Sequence, residues 1–302
     1  MVVGKRTSLF ARSPRRQQTA AYNARPVSKA RSKAAPQLPP WAAPVVVIVG
    51  YALMNAGAFV LRNLGMRPFL VGSELLLALP SLLALALARI SVGEGLGLRG
   101  LDRKAAAVCV ALGVAFWAAS LGLFELQYSV WKPPPGYLEA FERLHDLLKP
   151  SGPFDALVSL AAIAFAPAVC EEIVFRGAAL PALLPGLGAW GAALASAALF
   201  GLIHVDAAGA SPSFYRVPFA FVVGLGLAAL RIRTGSLWST ILAHATLNGI
   251  TFFAAPLAQP TNGVLPDPEP LLGAGLLVAG SIAAAWLFTR LGNSLTRPEA
   301  PA

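Results

Sequence analysis

Cys170-Glu171-Glu172-Ile173-Val174-Phe175-Arg176 sets three charges inside residues 156–183, a stretch otherwise long and apolar enough to cross a bilayer. A charge at the centre of a spanning helix costs about 2.5–3.5 kcal/mol on insertion scales, so such groups face a protein interior and serve a function by default. Helical spacing separates their roles. Residues four apart share a face, and Glu before Arg is the better order for a pair, which assigns Glu172 to Arg176. Glu171 points about 100° away around the helix and is left free. Two readings stay open here: a carboxylate available as a general base, or three charges that tie helices together.

The surrounding chain is of the same kind. Of 302 residues, 56% are hydrophobic and 13% charged, with a mean hydropathy of +0.65; a soluble domain carries about 25% charged residues. Apolar stretches lie near 41–61, 69–88, 105–124, 156–183, 188–205, 215–231, 236–255 and 271–289, each close to the length a bilayer needs. Turn-forming runs punctuate them at Pro133 to Gly136, Pro185 to Gly188, Thr234 to Ser236 and Pro266 to Pro270. The pattern predicts an all-α, polytopic transmembrane helical bundle of about eight helices, with one membrane domain over 41–290.

Residues 1–40 carry nine Lys and Arg and no Asp or Glu, which is nine of the net +10. This basic N-terminal tail lacks apolar periodicity and reads as disordered. It fits a solvated cytoplasmic tail lying against anionic lipid, or an organelle transit peptide. No aromatic platform accompanies its charge, so nucleic acid is not an expected partner. Residues 291–302 form a short C-terminal tail. The two cysteines, Cys109 and Cys170, define neither a disulfide framework nor a metal motif, and a thiol in apolar surroundings is inert.

Basic residues in short loops mark the cytoplasmic side. The tail, the loop 89–104, the join holding Arg231 and Arg233, and the C-terminus with Arg290 and Arg297 all fall on one side of eight spans. The opposite loops, 125–153 and 256–270, are neutral or acidic, Arg62 and Arg67 being the exception. Both termini are therefore expected in the cytoplasm.

Two of the three histidines fall in spans. His204 shares a helix face with Phe200. It lies about as far beyond the 185–188 turn as Glu171 lies before it, so the two belong at one depth. His244 and Asn248 form a polar stripe on the seventh span, suited to donate to a developing oxyanion or to bond across to another helix. His145 sits in a polar loop and reads as a surface residue.

Glu171-Glu172-x-x-x-Arg176, Phe200-x-x-x-His204 and His244-x-x-x-Asn248, in that order, resemble the CPBP family of intramembrane endopeptidases (CAAX prenyl protease 2/lysostaphin resistance protein A-like, the type II CAAX endopeptidases). The likeness covers about residues 150–255. It implies a glutamic-type peptidase in which Glu171 and His204 activate water and His244 and Asn248 form the oxyanion hole. Glu172, Arg176 and Phe200 would support the site. It implies no cofactor; a zinc alternative would use Glu171, His204 and His244 with an open fourth position.

The implied partner is a protein or peptide with an apolar or lipidated end, cut near the membrane surface as in CAAX-type or C-terminal sorting-helix processing. Composition fits a bacterial inner membrane. Two other classes remain open: a non-proteolytic scaffold or immunity-type protein on the same fold, and a proton-linked carrier using Glu171 and Glu172 as a relay, although no internal repeat is seen.

Overall fold

The computed structural model describes residues 37–134, 136–205, 213–254 and 267–294. The readings made above for the tails lie, over 1–36 and 295–302, outside the described residues.

Two antiparallel helices open the bundle, α1 (Ala42–Leu61) and α2 (Met66–Leu87). Gly65, with φ of 84°, makes the turn between them. A short α3 (Val92–Leu96) follows, capped by the Ser91 hydroxyl on the Glu94 amide. Asp102 caps α4 (Arg103–Val130) through the Ala105 amide. An amphipathic α5 (Tyr137–Leu148) occupies the segment expected to be a polar loop.

The next helical run is continuous from Pro153 to Leu202. It comprises α6 (Pro153–Leu160), a π turn (Ala161–Phe165), α7 (Ala166–Glu172), a second π turn (Ile173–Ala179) and α8 (Leu180–Leu202). Gly188 breaks α8 with a non-helical φ of 66°. The chain reverses there: Ser196 Oγ donates to the Phe175 carbonyl at 3.1 Å, a contact that a straight helix cannot make. Two further helices, α9 (Val217–Thr234) and α10 (Leu237–Ala254), are joined at Gly235 in the left-handed region. α11 (Pro270–Ser294) then packs along α4, where a side chain on Gly122, Gly273 or Gly280 would strike the backbone of the facing helix.

Six helices are long and apolar enough to cross a membrane, one being the 50-residue run that doubles back at Gly188. Counting its two legs and adding α10 gives eight passes among the described residues, matching the spans read from the sequence. Large apolar side chains such as Phe59, Leu87, Trp190 and Leu271 stand exposed around the bundle. A surface of that kind belongs in lipid.

Pro167 and Pro181 each stand two residues after a π turn. Proline lacks an N–H and its ring clashes with the carbonyl four residues back, and the widened turn accommodates both.

Candidate active site

Glu171 and Glu172 sit at the end of α7, between the two π turns. π turns occur often at functional sites because they re-aim side chains. Glu172 and Arg176 form the expected ion pair, Arg176 Nη1 donating to Glu172 Oε1 at 2.8 Å with both side chains fully buried. Arg176 Nη2 donates to the Gly224 carbonyl at 2.8 Å, which fixes α9 against the second π turn. Two aromatic rings enclose the guanidinium, Phe200 at 4.5 Å and Phe175 at 5.8 Å.

His244 reaches across from α10 to both glutamates. Its Nδ1 lies 3.0 Å from Glu172 Oε1, and its Nε2 lies 3.6 Å from Glu171 Oε2. Since Glu172 is an acceptor held by Arg176, the Nδ1–H of His244 donates to it. His204 Nδ1 lies 2.8 Å from the Phe200 carbonyl, which can only accept. The proton is therefore on Nδ1, and Nε2 of a neutral ring is left as an acceptor. The Phe200 ring packs between the two histidines, at 4.7 Å from His204 and 6.0 Å from His244.

Glu171, His204, His244, Asn248 and Phe200 all line one cavity of about 640 Å³, within the usual size of a ligand site. Glu172 and Arg176 stand behind its wall. The structure thus gathers all seven residues singled out from the sequence. The ring that approaches Glu171 to 3.6 Å is that of His244, and His204, read at the depth of Glu171, lines the same cavity.

Two lining residues went unassigned or were read differently in the sequence. Glu74 on α2 lines the cavity, and its Oε2 is buried with no hydrogen-bond partner. A lone Glu within an apolar span was the signal that could have found it. His145, read as a surface residue, also lines the cavity from α5, with Nδ1 buried and unpartnered and its ring 5.2 Å from Phe252. The helix folded from the expected loop turns this face inward.

Among the described residues, no group of three His, Cys, Asp or Glu side chains is placed to hold a metal ion. Of the set Glu171, His204 and His244, both histidines have Nδ1 tied to an oxygen, that of the Phe200 carbonyl and that of Glu172, an arrangement that metal-bound histidines also show. Cys170, beside Glu171, is a free and buried thiol.

Comparison with curated proteins and with solved structures gives no match. Residues 153–250 match a family model described as type II CAAX prenyl endopeptidase Rce1-like. That segment, which holds Glu171, Glu172, Arg176, Phe200, His204, His244 and Asn248, is similar to the Rce1-like type II CAAX prenyl endopeptidases, and the long apolar helices around it make the chain an integral membrane protein.

Proposed function

We propose that this protein is an intramembrane endopeptidase of the glutamic type, cutting a peptide bond near the membrane surface in a substrate with an apolar or lipidated end. One observation carries the reading. Glu171 and the acceptor-configured His204 face the same cavity, where a water molecule would find two proton acceptors. A water donating one hydrogen to the Glu171 carboxylate and the other to His204 Nε2 presents its oxygen lone pair to a carbonyl carbon.

The oxygen attacks, the C–O bond forms, and the proton passes to Glu171. The carbonyl electrons move onto oxygen, which faces donors on the α10 stripe. Asn248 supplies a side-chain amide. His244 supplies Nε2–H in its doubly protonated form, the form suited to a ring held between two carboxylates. Collapse breaks the C–N bond as Glu171 returns the proton to the leaving amine. Glu172 and Arg176 orient His244 rather than touch substrate, as a carboxylate orients the base of a hydrolytic triad. The basic loops support a cytoplasmic N-terminus, and the composition supports a bacterial inner membrane.

The test compares cells carrying the native protein and Glu171→Gln at matched expression, by quantitative mass spectrometry of protein termini. Specific termini should vanish in the variant while uncut precursors accumulate. Unchanged termini across well-covered membrane and lipidated proteins would remove the peptidase reading.

A further inference from the structure

We infer that the site opens on the side of the membrane opposite the basic loops, so that its substrate is a segment of an exported or membrane-anchored protein lying on the non-cytoplasmic side of its own anchor. The inference rests on the peptidase reading for the word substrate, and on the geometry alone for the side.

Most of the residues that line the cavity come from one half of their helices, with Glu171 and His244 at mid-depth. Glu74 on α2, Phe124 on α4, His145 on α5, His204 beyond α8, Phe219 on α9 and Thr251 on α10 are all lining residues. Measured along their helices at 1.5 Å per residue, Glu74, Phe124, Phe219 and Thr251 lie roughly 20–30 Å from the ends that meet the loop 89–104 or the 234–237 join, and within roughly 12 Å of the opposite ends. His204 lies about 24 Å beyond the Gly188 reversal, which is on the same side as those joins. α5, between the far ends of α4 and α6, contributes lining residues of its own.

The near ends are one packed surface. Leu237 N–H donates to the Gly97 carbonyl at 3.0 Å, and Arg231 Nη2 donates to the Leu96 carbonyl at 2.9 Å. This surface carries Arg89, Arg99, Arg103, Lys104, Arg231, Arg233 and Arg290. In the sequence, Arg25, Lys29, Arg31 and Lys33 precede the first span within the about 20 residues over which basic charge orients a span. The cavity side carries Arg62, Arg67, Lys132, Arg143, Lys149 and Arg216, so the bias rests on the basic residues that precede the first span in the sequence. Arg67 is paired with Asp155 at 3.0 Å and bonded to Ser159 at 2.9 Å, and Arg62 stacks on Phe59 at 4.0 Å. By the positive-inside rule the basic surface is cytoplasmic. The cavity then faces the other compartment, and a tail that stays in the cytosol does not reach it.

α5 fits an interfacial position at that mouth. It is amphipathic, flanked by Trp131 and beginning at Tyr137, with Asp146 and Arg143 exposed. Substrate chain lying along the outer surface would pass beneath it to reach Glu171.

The test is sided labelling of the full-length protein in a bacterial host, with the native chain as control, since its two cysteines are buried. Asp146→Cys on α5 and Lys104→Cys on the basic loop are both exposed positions outside the site. A membrane-impermeant maleimide is applied to spheroplasts and to inverted vesicles. Asp146→Cys is expected to label in spheroplasts only, and Lys104→Cys in inverted vesicles only. The reverse pattern, or both positions labelling from one side, overturns the inference whether or not the protein is a peptidase.

The substrate half is read from the termini lost in Glu171→Gln cells. If they lie on the non-cytoplasmic side of their anchors, the inference stands. If they are cytoplasmic, it falls while the peptidase reading survives. If none is lost, the peptidase reading and the substrate fall together, and the labelling still decides the side.

Discussion

His244 Nδ1 lies 3.0 Å from Oε1 of Glu172, a residue 72 positions earlier and already paired with Arg176. One carboxylate oxygen thus serves two donors from two helices, and the His244 ring on α10 is held by a group that stands behind the cavity wall. Glu172→Gln leaves Arg176 buried without its counter-ion, and breaking a buried pair costs about 3–5 kcal/mol. We expect Glu172→Gln to lower thermal stability sharply. Swapping both partners, Glu172→Leu with Arg176→Met, is expected to recover stability and not cleavage, because His244 still lacks its acceptor. Recovery of cleavage in the double variant would show that Glu172 does not orient His244.

Gly224 is where α9 comes closest to this assembly. A Cβ there would sit 3.0 Å from the Phe200 ring and 3.2 Å from Arg176 Nη2. Gly224→Val should therefore push both side chains and disturb His204 and His244 through the shared ring. Overpacking of this sort typically costs about 1–3 kcal/mol. Cleavage should fall with little loss of expression, and an unchanged rate would show that Phe200 has room to move.

Glu74 holds a buried carboxyl oxygen with no partner, a state that costs about 1–3 kcal/mol or more when the group is charged. Replacing it by an apolar residue of similar length should stabilise the fold. If Glu74 serves the cavity it shares with Glu171, Glu74→Leu should raise the melting temperature and lower the cleavage rate together. A variant that gains stability and keeps its full rate would make Glu74 a bystander.

The reaction drawn above uses protein groups and water. Cleavage by the purified protein in detergent should survive dialysis against 1,10-phenanthroline, with metal content followed by mass spectrometry. Loss of activity that zinc restores would overturn the glutamic mechanism.

The site was legible wherever helical arithmetic applies. Glu172 to Arg176, Phe200 to His204 and His244 to Asn248 are each four apart, and side chains four apart share a face whatever the tertiary structure. Glu74 has Leu70 and Ala78 at that spacing, so no local pattern drew the eye. His145 was misplaced for a different reason: the face a short amphipathic helix turns inward is decided by partners far away in the chain, here Phe252 on α10. The spans were legible because a bilayer demands length and apolarity of every helix. α10 shows the limit of that signal, since it is not among the six helices that qualify by length and hydropathy. It spends its apolarity on Ser239, Thr240, His244, Thr246 and Asn248. The bond from Glu172 to His244 was not legible, because it depends on how α7 and α10 are rotated against each other.

The two π turns bear on how such a chain can change over generations. Each π turn holds a surplus residue relative to an α-helix, and one residue of α-helix is about 100° of rotation. Deleting a single residue between Ala161 and Phe165 would return that turn to regular winding and leave no widened turn ahead of Pro167, whose ring needs one. Point substitutions can wander through this segment freely by comparison. Length, more than identity, is the inherited quantity there, and lineages that keep the reaction should show residues exchanged between Ala161 and Phe165 without residues gained or lost.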